Sequence, residues 1–180
     1  MWPGGSGPRQ SLLLMKAPAI LACMIATLPL LAQNVSAEAA PLELFLGSWS
    51  GSGQLFGAEA RFEMKWEKAL DNQFVRLTFK NSFKDSGGRE RTLKAQAFYK
   101  SMGEGRYRGT WFDSRGMVLP LESTLEDSVL TTLWGSAESE NGRTVYRIHA
   151  DDTIEVDDYI KKDGEWQKFG HAVYHRIDGD

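Results

Sequence analysis

Three histidines, one cysteine and a dense run of carboxylates are the residues of this 180-residue chain with the most chemistry to offer. His171 and His175 stand four apart in Phe169-Gly170-His171-Ala172-Val173-Tyr174-His175. On an extended strand both face the same way, about 13–14 Å apart at ~3.4 Å per residue, which is too far to chelate one ion. No metal site is therefore expected. Either histidine alone suits a single axial ligand to a haem, and either equally suits an ordinary hydrogen-bonded or surface position. His149 adjoins Asp151-Asp152 and is expected in solvent. The run from Asp151 to Asp158 lacks the glycine that lets a calcium loop turn sharply. Alternation along it turns Ile154 and Val156 inward and Glu155 and Asp157 outward, the pattern of a solvated strand face. Ser48 to Gly53 mimics two catalytic motifs and satisfies neither. A nucleophile elbow needs serine where Trp49 stands, and a dinucleotide loop needs a strand before it and a helix after it. No catalytic constellation emerges, so the sequence leaves open whether the protein is an enzyme.

The elements that must position such residues begin at Gly47, Trp49, Gly51 and Gly53, a G-x-W-x-G-x-G pattern that follows the apolar stretch Pro41 to Leu46. Burying an indole removes roughly 150–250 Å² from water, about 4–6 kcal/mol as an upper bound. Glycines on the tryptophan's own strand face mark a bend or a close backbone approach. Turn signals then recur: Ser86-Gly87-Gly88, Gly103-Glu104-Gly105, Asp113 to Gly116, Glu126-Asp127, Asn141-Gly142, Asp151-Asp152 and Asp163-Gly164. Asn-Gly and Asp-Gly favour the positive φ of tight hairpins. Pro120 predicts an edge or bulged strand. Between the turns, Phe62, Met64 and Trp66 alternate on one face. Val75, Leu77 and Phe79 do the same, with Arg76, Thr78 and Lys80 opposite, and so do Tyr107, Gly109 and Trp111. Phe169, His171, Val173 and His175 share a face on the same count. Strands in hairpin order without intervening helices predict an all-β, up-and-down antiparallel barrel of about eight to ten strands behind a short helical turn. Closure hides both edges.

Leu46-Gly47-Ser48-Trp49, placed after an apolar turn and before the strand run, resembles the start of lipocalins and related calycin barrels, the group that includes the fatty-acid-binding-like proteins. That resemblance implies a late Arg or Lys packed across the tryptophan, and the matching residue is Arg176 in Tyr174-His175-Arg176-Ile177. Trp49 and Arg176 are thus the expected closure pair. Phe45-Leu46-Gly47-Ser48-Trp49 and Trp66-Glu67-Lys68-Ala69-Leu70 also resemble a family of exported bacterial proteins of this general kind. Related haem-binding barrels of the nitrobindin type use one histidine from late in the chain, which keeps His171 and His175 as haem candidates. No cofactor is otherwise predicted.

Residues 1–37 read as a secretory signal: Arg9 and Lys16 precede an apolar run, and Val35-Ser36-Ala37 offers small residues for cleavage. Met15 gives a signal of ordinary length. Pro18 and Pro29 interrupt the apolar run, which falls short of the ~20 unbroken residues of a membrane span. Cys23, the only cysteine, lies inside it, and the apolar stretch continues past it, unlike a lipoprotein site. The remainder, 38–180, is one domain in size, lacks thiols and is expected to be secreted or periplasmic with no membrane span. The net charge of −3 becomes more negative without Arg9 and Lys16, which argues against nucleic acid as a partner.

Five tryptophans fall on different predicted strands of this domain, as core or as the lining of a cavity. The expected site is a cavity lined by Phe62, Met64, Trp66, Phe79, Tyr107 and Trp111, with Tyr107 and His171 as its polar groups and Gly109 making room. The expected function is binding of a small apolar or amphipathic molecule. The alternatives are an enzyme or haem barrel using the same cavity, and an interaction domain with a solid core. The sequence does not set an oligomeric state.

Overall fold

The computed structural model describes residues 42–177, so the expected signal segment, Cys23 included, lies outside the described residues. A 3-10 turn, Leu42–Phe45, leads into ten strands: β1 (Gly47–Leu55), β2 (Ala58–Ala69), β3 (Phe74–Lys84), β4 (Glu90–Ser101) and β5 (Arg106–Asp113), then β6 (Val118–Glu126), β7 (Val129–Gly135), β8 (Asn141–Ile148), β9 (Thr153–Lys162) and β10 (Glu165–Ile177). Every strand pairs antiparallel with its sequence neighbours, and β10 returns to β1, closing the barrel. Alternation drives this arrangement. In β2, Ala60, Phe62, Met64 and Trp66 are buried between exposed Glu59, Arg61, Glu63 and Lys65. In β3, Val75 and Leu77 turn inward, while outward Arg76 and Lys80 pair with Glu67 and Glu63 of β2.

Closure brings Trp49 opposite Arg176 in the β1–β10 register. The Arg176 guanidinium lies 4.1 Å from the indole centroid and donates to the Leu46 carbonyl at 2.7 Å. The Trp49 N–H donates to the Phe45 carbonyl at 2.8 Å, so the fully buried indole leaves no orphaned donor. A Cβ at Gly51 would stand 2.8 Å from the Tyr174 ring, the close approach that its glycine permits. The 3-10 turn plugs this end of the barrel. Leu42 and Phe45 are wholly buried, and Phe45 packs on Trp66 and Tyr146.

Four local expectations need correcting. Asn141-Gly142 begins β8, and the connection is Ser136 to Glu140 instead. Gly142 is there for space, since a Cβ would collide with the Trp134 ring. Two-residue turns with positive φ at both positions do occur at Phe56-Gly57, Asp127-Ser128 and Asp163-Gly164. Pro120 sits in an interior strand, not an edge. It pairs with Thr110 on β5, and the β6–β7 ladder begins one residue later at Leu121, so no rung needs its missing N–H. Gly109 does not open space, because a Cβ there would meet the Phe98 carbonyl.

The fourth difference lies in β10 and has the largest effect on the site. The β9–β10 register shifts between Lys168 and Gly170. This bulge inserts an extra residue and reverses the face of the residues after it. Gly170, Ala172 and Tyr174 are the buried positions, while His171, Val173 and His175 lie on the outer face.

Candidate functional site

The interior of the barrel divides into a packed end and an open one. Near the 3-10 turn, Trp49, Trp66, Leu125, Leu130 and Ile154 are fully buried and leave no room. The Trp66 ring lies 5.4 Å from that of Tyr99 and 5.6 Å from that of Tyr146, and these two tyrosines form the floor of a cavity of about 620 Å³. The cavity extends to the opposite end of the barrel, where loop residues Phe56, Asp85, Arg115 and Glu140 reach its mouth. Its walls are chiefly apolar: Phe79, Trp111, Leu119, Leu121, Trp134 and Phe169 among others.

Of the residues expected to line a site, Phe79 and Trp111 do so. Phe62, Met64 and Trp66 point inward as expected but do not line the cavity: Trp66 lies at the packed end against Phe45, while Phe62 and Met64, opposite Asn81 and Phe79, are nearly inaccessible, Phe62 being covered by Phe79 and Tyr174. Tyr107 is buried at that end as well, where its hydroxyl accepts the Leu42 N–H at 3.0 Å and ties the 3-10 turn to β5. Tyr107 thus fastens the plug and is not a polar group of the cavity. His171 is not one either, since it faces outward.

Much of the polar chemistry of the cavity comes from β7, β8 and β9, whose Thr132, Thr144 and Asp158 are not among the site residues expected from the sequence. The Trp134 N–H donates to Thr144 Oγ1 at 3.2 Å, and the Thr144 hydroxyl donates to Asp158 Oδ1 at 2.6 Å. Asp158 lines the cavity and is partly buried. Burial pushes its carboxyl up to about 6. The Thr144 hydrogen bond works against that rise, and the neighbouring Asp157 charge adds to it. Asp158 has no cationic partner among the described residues. Nearby, Thr132 and Ser123 hydrogen-bond each other at 2.9 Å, and burial raises the hydroxyl pKa of Tyr99 and Tyr146 far above the ordinary tyrosine range. Asn81 also lines the wall, and its Oδ1 is enclosed without a partner among the described residues.

The rim is held by ion pairs. Arg115 grips Glu140 with two hydrogen bonds, at 2.9 and 3.0 Å, and reaches Asp113 Oδ2 at 2.7 Å. Asp113 also accepts the Trp111 N–H at 3.1 Å, which orients that indole in the wall. Arg91 pairs with Asp85 at 2.9 Å. Both arginines at the mouth are thus already committed to carboxylates.

On the outer wall, Asp157 is buried beneath a different set of partners. Lys168 at 2.5 Å, His171 Nδ1 at 2.8 Å and Arg147 at 3.0 Å converge on its carboxylate. Burial alone would raise its pKa, but these three donors overcome it and hold the group at about 2. Asp157 is therefore not the solvated residue that alternation implied. Glu155, Asp157 and His171 stand close enough to share an ion. The cations already seated on Asp157 occupy the oxygens such an ion would need.

A haem in this cavity would find no imidazole. His171 is engaged with Asp157 outside, His175 pairs with Ser50 and Thr153 on the outer face, and His149 lies in the β8–β9 loop. The chain's three histidines do not fit an axial ligand inside the barrel. Nor is any helix among the described residues long and apolar enough to cross a membrane.

No family model matches the chain, and neither does any curated protein sequence. Among solved structures, the crystal structure of Rv2717c from M. tuberculosis is similar, with a TM-score of 0.56 and 17% identity over 78% of this chain and 100% of that one. At that identity the likeness is one of fold, and it shows a barrel of the same architecture.

Proposed function

We propose that this protein is an exported, calycin-like container for a small apolar or amphipathic molecule, held inside the barrel. The observation that carries the reading is the cavity itself. About 620 Å³ of space, walled by aromatic and aliphatic side chains around a few fixed polar groups, falls in the range of small-molecule sites. A barrel serving only as an interaction surface has no use for it, since filling that volume with side chains would add stability. Export rests on the composition of residues 1–37. N-terminal sequencing of the protein recovered from the periplasm or medium should find a chain starting near Glu38.

Binding is tested by titrating 1-octanol into the full domain while following tryptophan fluorescence. Trp111 and Trp134 line the cavity, whereas Trp49 and Trp66 are packed away from it. The expected result is a saturable change that diminishes in Trp134→Phe and in Trp111→Phe. A linear, non-saturating response that ignores both substitutions would remove the reading.

A further inference from the structure

We infer that the ligand carries a cationic amine and that Asp158 is its counter-ion. This deepens the container reading above and rests on it. Among the described residues, Asp158 is the only carboxylate whose place in the cavity is deep and uncommitted. Asp85 and Glu140, at the rim, are each bound to an arginine. One oxygen of Asp158 accepts from Thr144, while the other has no donor among the described residues.

The surroundings of that second oxygen are kept open. Asp158 pairs with Gly170 across β9–β10, and a Cβ on Gly170 would stand 3.1 Å from Oδ2. The bulge at Lys168–Gly170 is what turns this glycine, rather than His171, toward the interior. The groups that face Asp158 are Thr144 on β8, the hydroxyls of Tyr146 on β8 and Tyr174 on β10, and no cation from any of these strands. Its charged neighbour, Asp157, is itself negative and points to the other side of the sheet.

A carboxylate in this position has lost part of its hydration to the fold, so part of the usual desolvation cost of an ion pair has been met on one side before the ligand arrives. Aromatic rings of Trp134, Tyr146, Trp111 and Tyr99 line the same space, and their faces attract a cation. An anionic ligand would meet repulsion from Asp158, and the arginines lining the cavity are bound to rim carboxylates and do not offset it. The site therefore suits an apolar body with a protonated primary or tertiary amine.

The test compares octylamine, 1-octanol and octanoate, which share a chain and differ in head group, by calorimetric titration of the full domain at pH 8. Octylamine should bind about ten-fold or more tighter than octanol, as a charge-assisted hydrogen bond provides, and octanoate weaker than either. Asp158→Asn should bring octylamine to the affinity of octanol measured on the same variant, removing the ratio between the two. A second readout needs no variant. At pH 6 octylamine should drive Asp158 to its ionised form and release about half a proton, measurable from the dependence of the heat on buffer ionisation, whereas octanol should release none. Octanol binding as tightly as octylamine, with no proton release, would overturn the counter-ion and leave the container standing. Saturable binding by none of the three would overturn both.

Discussion

Replacing Asp158 by asparagine should stabilise the protein at alkaline pH, by an amount that shrinks as the pH falls. The folded carboxyl titrates at about 6 against a reference of 3.8. An acid whose pKa is raised by folding binds more protons in the native state, so stability falls as pH rises between the two values and stays low above the upper one. At about 1.4 kcal/mol per unit the full shift amounts to about 3 kcal/mol at pH 8. Asp158 keeps partial exposure on the cavity side, which weakens the effect and brings the expected gain from asparagine to about 1–3 kcal/mol. The amide keeps an acceptor for the Thr144 hydroxyl, so the hydrogen bond is not forfeited with the charge. Urea unfolding of both proteins at pH 8 and at pH 4 measures the difference directly, and subtracting the two curves cancels the titration of Asp157. The gain should be largest at pH 8 and nearly gone at pH 4, where wild-type Asp158 is protonated in the fold. Destabilisation at pH 8, or a difference that does not vary with pH, would refute the assignment of Asp158 as an enclosed carboxyl without a cation.

Asp157→Asn should do the reverse: with its pKa held at about 2, Asp157 contributes stability above its ordinary value that is lost as pH falls through 2. The variant should lose about 1–2 kcal/mol at pH 7, the exposure of Lys168 and Arg147 having reduced the effect, and the loss should narrow in acid unfolding curves below pH 4. Gly142→Ala places a methyl group against the Trp134 indole. Overpacking there should cost about 1–3 kcal/mol in urea unfolding and shift the Trp134 emission maximum as the indole is displaced, whereas unchanged stability with an unchanged spectrum would mean that the methyl group does not meet the indole.

Much of the architecture is legible in the sequence because the rule that writes it is simple. Inward and outward residues alternate at β2, β3 and β6, and a ten-strand meander whose first strand bears Trp49 and whose last bears Arg176 closes by pairing the two. The site is less legible, for two physical reasons. First, an aromatic that faces inward does not reveal its height along the barrel axis. Trp66 faces the same interior as Phe79 and Trp111, yet the 3-10 turn fills the end where it lies, with Phe45 packed on its ring. Second, alternation is easy to follow only while it agrees with polarity. Carried two residues beyond Val156, the count that turns Ile154 inward also turns Asp158 inward, and Ile160 after it.

The Asp157-Asp158 pair shows what the sheet does with two adjacent carboxylates. A strand sends successive side chains to opposite faces, so one acid must enter the barrel if the other stays out. The bulge in β10 then supplies each with its neighbour. It sends His171 outward to Asp157, where Lys168 and Arg147 complete a cationic setting, and it turns Gly170 inward beside Asp158, where no charge arrives. The same residue type, one position apart, is thereby held at about 2 on one side of the wall and about 6 on the other. Had β10 kept the register of Lys168–Tyr159 without the shift, the period-2 count from Phe169 would have put an imidazole within the barrel opposite Val156, diagonal to Asp158. The cavity's acid would then have had an internal partner and no need of a ligand's cation.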